Sequence, residues 1–206
     1  MRRVRAGALS SDGDASVPEN ALREGYWTDG PLPENARIGT NTMISGALAF
    51  ERFRSREPCA LTVGMHCTMD HVQFSLGPAG RTEVGDYCYF TSVVLLCELE
   101  LRIGSYVVIG WNTTISDADF HPIAPAARIA DAIACSPLGK GRKRPPIACE
   151  PVIIEDDVSI GANAVILKGV RIGSRAVIEP GALVTRDVPS GCRAVGNPAQ
   201  LIEGGT

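Results

Sequence analysis

No run of about 18 apolar residues occurs anywhere in the 206-residue chain, so the sequence offers no transmembrane helix. The basic opening Met1-Arg2-Arg3 lacks the apolar stretch that would follow it in a secretory signal, and a soluble, cytoplasmic protein is expected. Charge of one sign is missing as well: a net charge of −3 provides no diffuse attraction for nucleic acid or a membrane surface, and neither is expected as a partner. The seven cysteines are an odd set without a Cys-x-x-Cys pair, which speaks against both a complete disulfide framework and a zinc ribbon. Aromatic residues make up only 5% of the chain, against 45% hydrophobic residues overall, 22 glycines and 14 prolines. That balance is too apolar for a disordered chain and too rich in turn residues for a helical bundle; it predicts one all-β domain with a core of small aliphatic side chains.

What is present in their place is a repeat. Aliphatic residues return every six positions at Ile154, Ile160, Ile166, Ile172, Ile178 and Val184. Val158, Ala164, Val170, Ala176 and Ala182 stand four residues after the first five, and Gly161 and Gly173 directly follow two of them. A weaker copy runs through Val84, Phe90 and Leu96, then after a seven-residue step through Ile103, Ile109 and Ile115; Ile38-Gly39 and Val63-Gly64 are degraded copies. A period of six matches neither a helix nor a free strand. It requires a chain that turns a corner every six residues, so that three hexads close one triangular coil and successive coils pair at roughly 4.8 Å. The anchors then point inward, and the glycines are expected to supply the backbone freedom of the corners.

The solenoid is predicted over 38–188, preceded by an arm (1–37) and followed by a tail (189–206). Residues 51–60 break the period and are expected to leave the coil surface. The repeat also halts after Ile115 and resumes at Ile154, leaving an excursion at 117–150. Loops of that length in a compact domain are functional or disordered. This one opens with Ser116-Asp117-Ala118-Asp119-Phe120-His121-Pro122.

The stretch Ile160 to Gly173, then Pro180-Gly181-Ala182-Leu183-Val184-Thr185-Arg186-Asp187-Val188-Pro189 and Gly196-Asn197-Pro198-Ala199, resembles the hexapeptide-repeat acyltransferases, in the branch of the maltose and galactoside O-acetyltransferases. The resemblance covers about residues 84 to 202. It implies a left-handed parallel β-helix, a handedness that comes from the resemblance alone because parallel crossovers are generally right-handed. It also implies a homotrimer with active sites between subunits, acetyl-coenzyme A as donor, and a hydroxyl of a small molecule, of sugar or natural-product type, as acceptor.

By its His-Pro context and its place on the excursion, His121 matches the family's general base. An imidazole, ordinarily titrating near 6.5, suits the removal of a hydroxyl proton as the oxygen attacks a thioester. Asp117 and Asp119 precede it by four and two residues, and either is placed to hold the ring in one tautomer. The resemblance puts Gly161 and Ala162 against the pantetheine arm and Thr185 and Arg186 at the nucleotide end of the donor. Small residues let an extended ligand approach the backbone, and a guanidinium pairs with phosphate. Pro180 stands where relatives often have a small residue with a free N–H, Gln200 where they are frequently basic, and Ser159 where they often have Trp. The basic cluster Lys140-Gly141-Arg142-Lys143-Arg144 is either a solvated loop tip or a phosphate contact.

Other readings remain open: transfer to an amine, a longer acyl donor, a γ-carbonic-anhydrase-like hydratase, or a silent β-helix scaffold. The hydratase needs three convergent histidines, and the chain's only three, His66, His71 and His121, come in the wrong order, so no metal is expected. Cys67 and Cys88 fall at the small hexad position and read as packing residues, not nucleophiles.

Overall fold

A computed structural model describes residues 32–202 together with the backbone of a short strand, Tyr26–Trp27. Residues 1–25 and 28–31 of the expected arm, and 203–206 of the expected tail, lie outside the described residues. The described chain is the left-handed parallel β-helix anticipated above, of about seven turns. Its three faces are sheets of nine, six and five strands. Every ladder between successive coils is parallel; among the described residues the one antiparallel strand pair joins Arg193–Val195 to Gln200–Ile202 at the end.

Each face buries an anchor column of side chains in register, with a second inward position on the longer strands. Ile38, Val63, Val84, Ile103, Ile154 and Ile172 are in register on the first face. On the second the column is Ile44, Met69, Phe90, Ile109, Ile160, Ile178 and Ala194. On the third it is Phe74, Leu95, Ile115, Ile166 and Val184. All are 4% exposed or less, and each large aliphatic member contributes about 1.5–3 kcal/mol relative to exposure.

Three details depart from the sequence reading. The third-face anchor of the weaker copy is Leu95, not Leu96: the strand Val94–Cys97 is four residues long and turns both Leu95 and Cys97 inward. Residues 51–60 do not leave the coil. Phe50 stacks on Phe74 at 5.7 Å, and the amides of Arg54 and Arg56 donate to the carbonyls of Leu76 and Pro78, so this segment serves as the third side of the first coil. Arg193–Val195 extends the solenoid by one more strand, parallel to Val177–Ile178, with Ala194 fully buried.

The corner glycines also act differently than expected. The left-handed backbone falls two residues after most of them, on Asn41, His66, Tyr87, Tyr106 and Arg175, with φ between 56° and 62°. The glycines are required instead by close approach between coils. A Cβ on Gly64 would lie 2.6 Å from the Gly85 carbonyl carbon, and one on Gly161 would lie 2.5 Å from the Pro180 nitrogen.

The excursion leaves this regular stack without disturbing it. Thr114–Ile115 still pair with Val165–Ile166, and Ile103 pairs with Ile154. Inside it lie a helix at Pro125–Cys135 and a single 3-10 turn at Pro137–Gly139. Proline at the first helical turn needs no amide partner there, and Pro137 ends the helix because the residue before a proline avoids the α region.

Candidate active site

The base of the excursion is fixed by its two early aspartates. Asp117 is fully buried; its carboxylate accepts the amides of Glu98, Leu99 and Glu100 at 2.8, 2.7 and 2.6 Å. Ala118 and Cys149 form an isolated antiparallel bridge. Asp119 pairs with Lys168 on the next coil at 2.8 Å, which raises the lysine's pKa. Both aspartates therefore tie the loop to the solenoid.

Neither is the carboxylate at His121. That place is taken by Asp131, whose Oδ2 lies 2.5 Å from the ring Nδ1. Asp131 is the only buried residue of the Pro125–Cys135 helix. Its other partner is Arg144, with Nε at 2.6 Å from Oδ1 and Nη2 at 3.1 Å from Oδ2, a two-pronged clamp. The same guanidinium also donates to the Phe120 carbonyl at 2.8 Å, so one arginine fixes the carboxylate and the backbone next to the histidine. Arg144 first, and His121 second, hold the Asp131 carboxyl down at about 2, while the Arg144 pKa is raised. An ionised Asp131 accepts a hydrogen bond from Nδ1–H. The free lone pair then lies on Nε2, which has no hydrogen-bond partner among the described residues, on a side chain 61% exposed. This is the arrangement a general base needs: one nitrogen held, the other open to a proton.

Asp131 and Arg144 went unrecognised in the sequence. Asp131 follows His121 by ten residues, a separation with no meaning until the helix folds back. Arg144 stands in a run of basic residues, all exposed, and differs from Lys140, Arg142 and Lys143 in its pairing with Asp131.

The residues assigned to the donor fall at two ends of one side. Gly161, Ala162 and Pro180 come together at the corner after the second face: Pro180 lies on Gly161, and the Gly181 amide donates to the Ala162 carbonyl at 2.9 Å. Thr185 and Arg186 follow the strand Leu183–Val184 at the next corner, both exposed, with Arg186 donating to Gln200 at 3.1 Å. The excursion departs from that same corner two coils earlier, after Thr114–Ser116.

The other two histidines lie apart: His66 stacks on Tyr87 at 4.8 Å, and His71 pairs with Asp70 at 2.8 Å. Among the described residues no group of three or more His, Cys, Asp or Glu side chains is arranged to hold a metal ion, and no helix is long and apolar enough to cross a membrane. Cys67 and Cys88 are buried in adjacent coils. The Cys67 thiol is lowered to about 7 by hydrogen bonding from Cys88, and that of Cys88 is raised by the same contact and by burial.

Comparison with known proteins agrees with this architecture. The family model for the bacterial transferase hexapeptide (six repeats) matches residues 151–186. A hexapeptide-repeat-containing acetyltransferase from Vibrio cholerae is 31% identical, over 67% of this chain and 69% of its own, with a TM-score of 0.51. An N-acyltransferase from Bacillus cereus, solved as a mutant in complex with dTDP and coenzyme A, shares the fold at 17% identity and a TM-score of 0.56, over 93% of this chain and 91% of its own. A 2,3,4,5-tetrahydropyridine-2,6-dicarboxylate N-acetyltransferase from Staphylococcus aureus is 59% identical over 58 residues, 28% of this chain. The chain spans about a quarter, 24%, of the length of that curated relative. With hexad columns in register from end to end and a relative matched over two thirds of its length, the chain belongs to the hexapeptide-repeat acetyltransferases.

Proposed function

We propose that the protein transfers an acetyl group from acetyl-coenzyme A directly to a hydroxyl of a small molecule, with His121 as general base and no covalent enzyme intermediate. The observation that carries this reading is the His121–Asp131–Arg144 chain on a loop the repeat does not need. Asp131 holds Nδ1, Nε2 takes the acceptor proton as the oxygen attacks the thioester carbonyl, and the resulting imidazolium is stabilised by the ionised carboxylate. The C–S bond breaks, and the departing coenzyme A thiolate takes the proton from the imidazolium, which restores the neutral ring. The donor lies along the last coils, with its pantetheine arm past Gly161, Ala162 and Pro180 and its phosphates near Thr185 and Arg186. Because Pro180 has no N–H, the carbonyls and amides around Ala162 serve the pantetheine there. A homotrimer with each site between two subunits completes the proposal. The exposed His121 ring and the uncovered side chains of Ile129 and Ile133 on the catalytic helix support closure by a neighbouring copy.

A second reading, transfer to an amine, is favoured by the 59% identity of one segment to an N-acetyltransferase. Thiol release from acetyl-coenzyme A, followed with matched hydroxyl and amine acceptors, separates the two. Turnover of hydroxyl acceptors supports the first reading, and turnover of amines alone supports the second. Absence of acetyl-coenzyme A binding by calorimetry defeats both.

A further inference from the structure

The corner from which the excursion departs continues toward the N-terminus as a cleft of about 480 Å³, a volume suited to a small molecule. Leu96 lines it from the coils, and Ile147 and Phe120, the latter beside the catalytic histidine, line it from the excursion. Its charged groups are three arginines and one acid: Arg52, Arg54, Arg144 and Glu98. Arg81, Arg102, Arg171 and Arg193 on the coil walls are each paired with a glutamate. Arg52 and Arg54 are different. They alternate around Phe53, which packs against the core, and neither guanidinium has a hydrogen bond or ion pair among the described residues. Glu98 lies over Gly77, where a Cβ would collide with its carboxylate, and it too has no ion pair among the described residues. Burial, and then Asp117, push its carboxyl upward against the weaker opposing pull of Arg144 and Arg54. Two guanidinium groups without a carboxylate partner thus face an apolar-walled space whose third arginine, Arg144, grips the Asp131 that positions His121.

We propose that this cleft receives the acceptor and selects one bearing a carboxylate, held by Arg52 and Arg54 with its apolar body against Leu96, Phe120 and Ile147. This rests on the reading of His121 as the acetyl-transfer base, because Arg144 and Phe120 are what join the cleft to that residue. A planar guanidinium matches a carboxylate in two-pronged geometry and desolvates at lower cost than an ammonium.

The test uses the full-length protein and the double variant Arg52→Gln/Arg54→Gln, whose side chains support no other part of the described fold. Succinate, with neutral succinamide as control, is titrated into each by calorimetry. The expected result is saturable succinate binding, weakened about tenfold or more in the double variant, with succinamide silent and acetyl-coenzyme A affinity unchanged. No saturable succinate binding, or equal binding by both proteins, overturns the proposal. Loss of acetyl-coenzyme A affinity in the double variant also overturns it, since the arginines then serve the donor's phosphates. Thiol release with hydroxy acids and their methyl amides separates this proposal from the one beneath it. Turnover without preference for the acid defeats the cleft's role and leaves His121 as base. Arginine-dependent succinate binding with no turnover of any acceptor keeps the cleft and defeats acetyl transfer.

Discussion

The coils from Ile154 to Val184 and the excursion at 117–150 are adjacent in sequence and held together by opposite means. In the coils, stability comes from a column of apolar side chains repeated in register, and the exposed Arg–Glu pairs add little. In the excursion the helix Pro125–Cys135 buries one residue, and that residue is a carboxylate. Polar contacts do the holding: Asp117 to three amides, Asp119 to Lys168, and Asp131 to both His121 and Arg144. A regular stack tolerates small changes anywhere along it. A loop held by a few charged contacts takes its shape from each one, and so can set a histidine at a fixed orientation.

Substitutions that strike one region should spare the other, and the large effects on stability are expected at their junction and in the solenoid core. Asp117→Ala leaves three buried amides without an acceptor and should cost on the order of 3 kcal/mol of stability, read by denaturant unfolding. Ile160→Ala in the solenoid should cost about 2–5 kcal/mol while leaving the pH dependence of turnover unchanged; an altered pH profile would show that the two regions are not independent. Asp131→Asn should lower turnover at least about tenfold with little change in global unfolding.

That carboxyl is depressed to about 2 from an ordinary 3.8, so its stabilising contribution is complete above the ordinary value and is lost as pH falls through the depressed one. Proteolysis of the wild-type excursion should accordingly rise between about pH 4 and pH 2, and Asp131→Asn should flatten that rise. The smallest effect is expected for Lys168→Met, which removes the partner of Asp119 and should cost about 1 kcal/mol or less. A larger loss would make this pair, and not Asp117, the anchor of the loop.

The same contrast explains what the sequence revealed. Ile154 to Val184 declare the solenoid because inward-pointing positions must recur with the coil, and that constraint is written at fixed spacing. The strand at Val94–Cys97 has an extra inward position that breaks the period locally, so a count of six lands on Leu96 where Leu95 is the anchor. The His-Pro context singles out His121 as a candidate, whereas no spacing singles out the carboxylate that lies beside its ring. Asp117 and Asp119 are near in sequence, but both are turned to the coils, and the carboxylate that reaches the ring comes from a helix whose return path no period encodes. Arg144 is legible only once Asp131 is placed.

The most direct measurement of the central claim is thiol release from acetyl-coenzyme A by the His121→Ala variant beside the wild type, with donor affinity measured in parallel. A loss of about 10²-fold or more in turnover at unchanged acetyl-coenzyme A affinity is the predicted result. Turnover at the wild-type rate would contradict it and remove His121 from the chemistry.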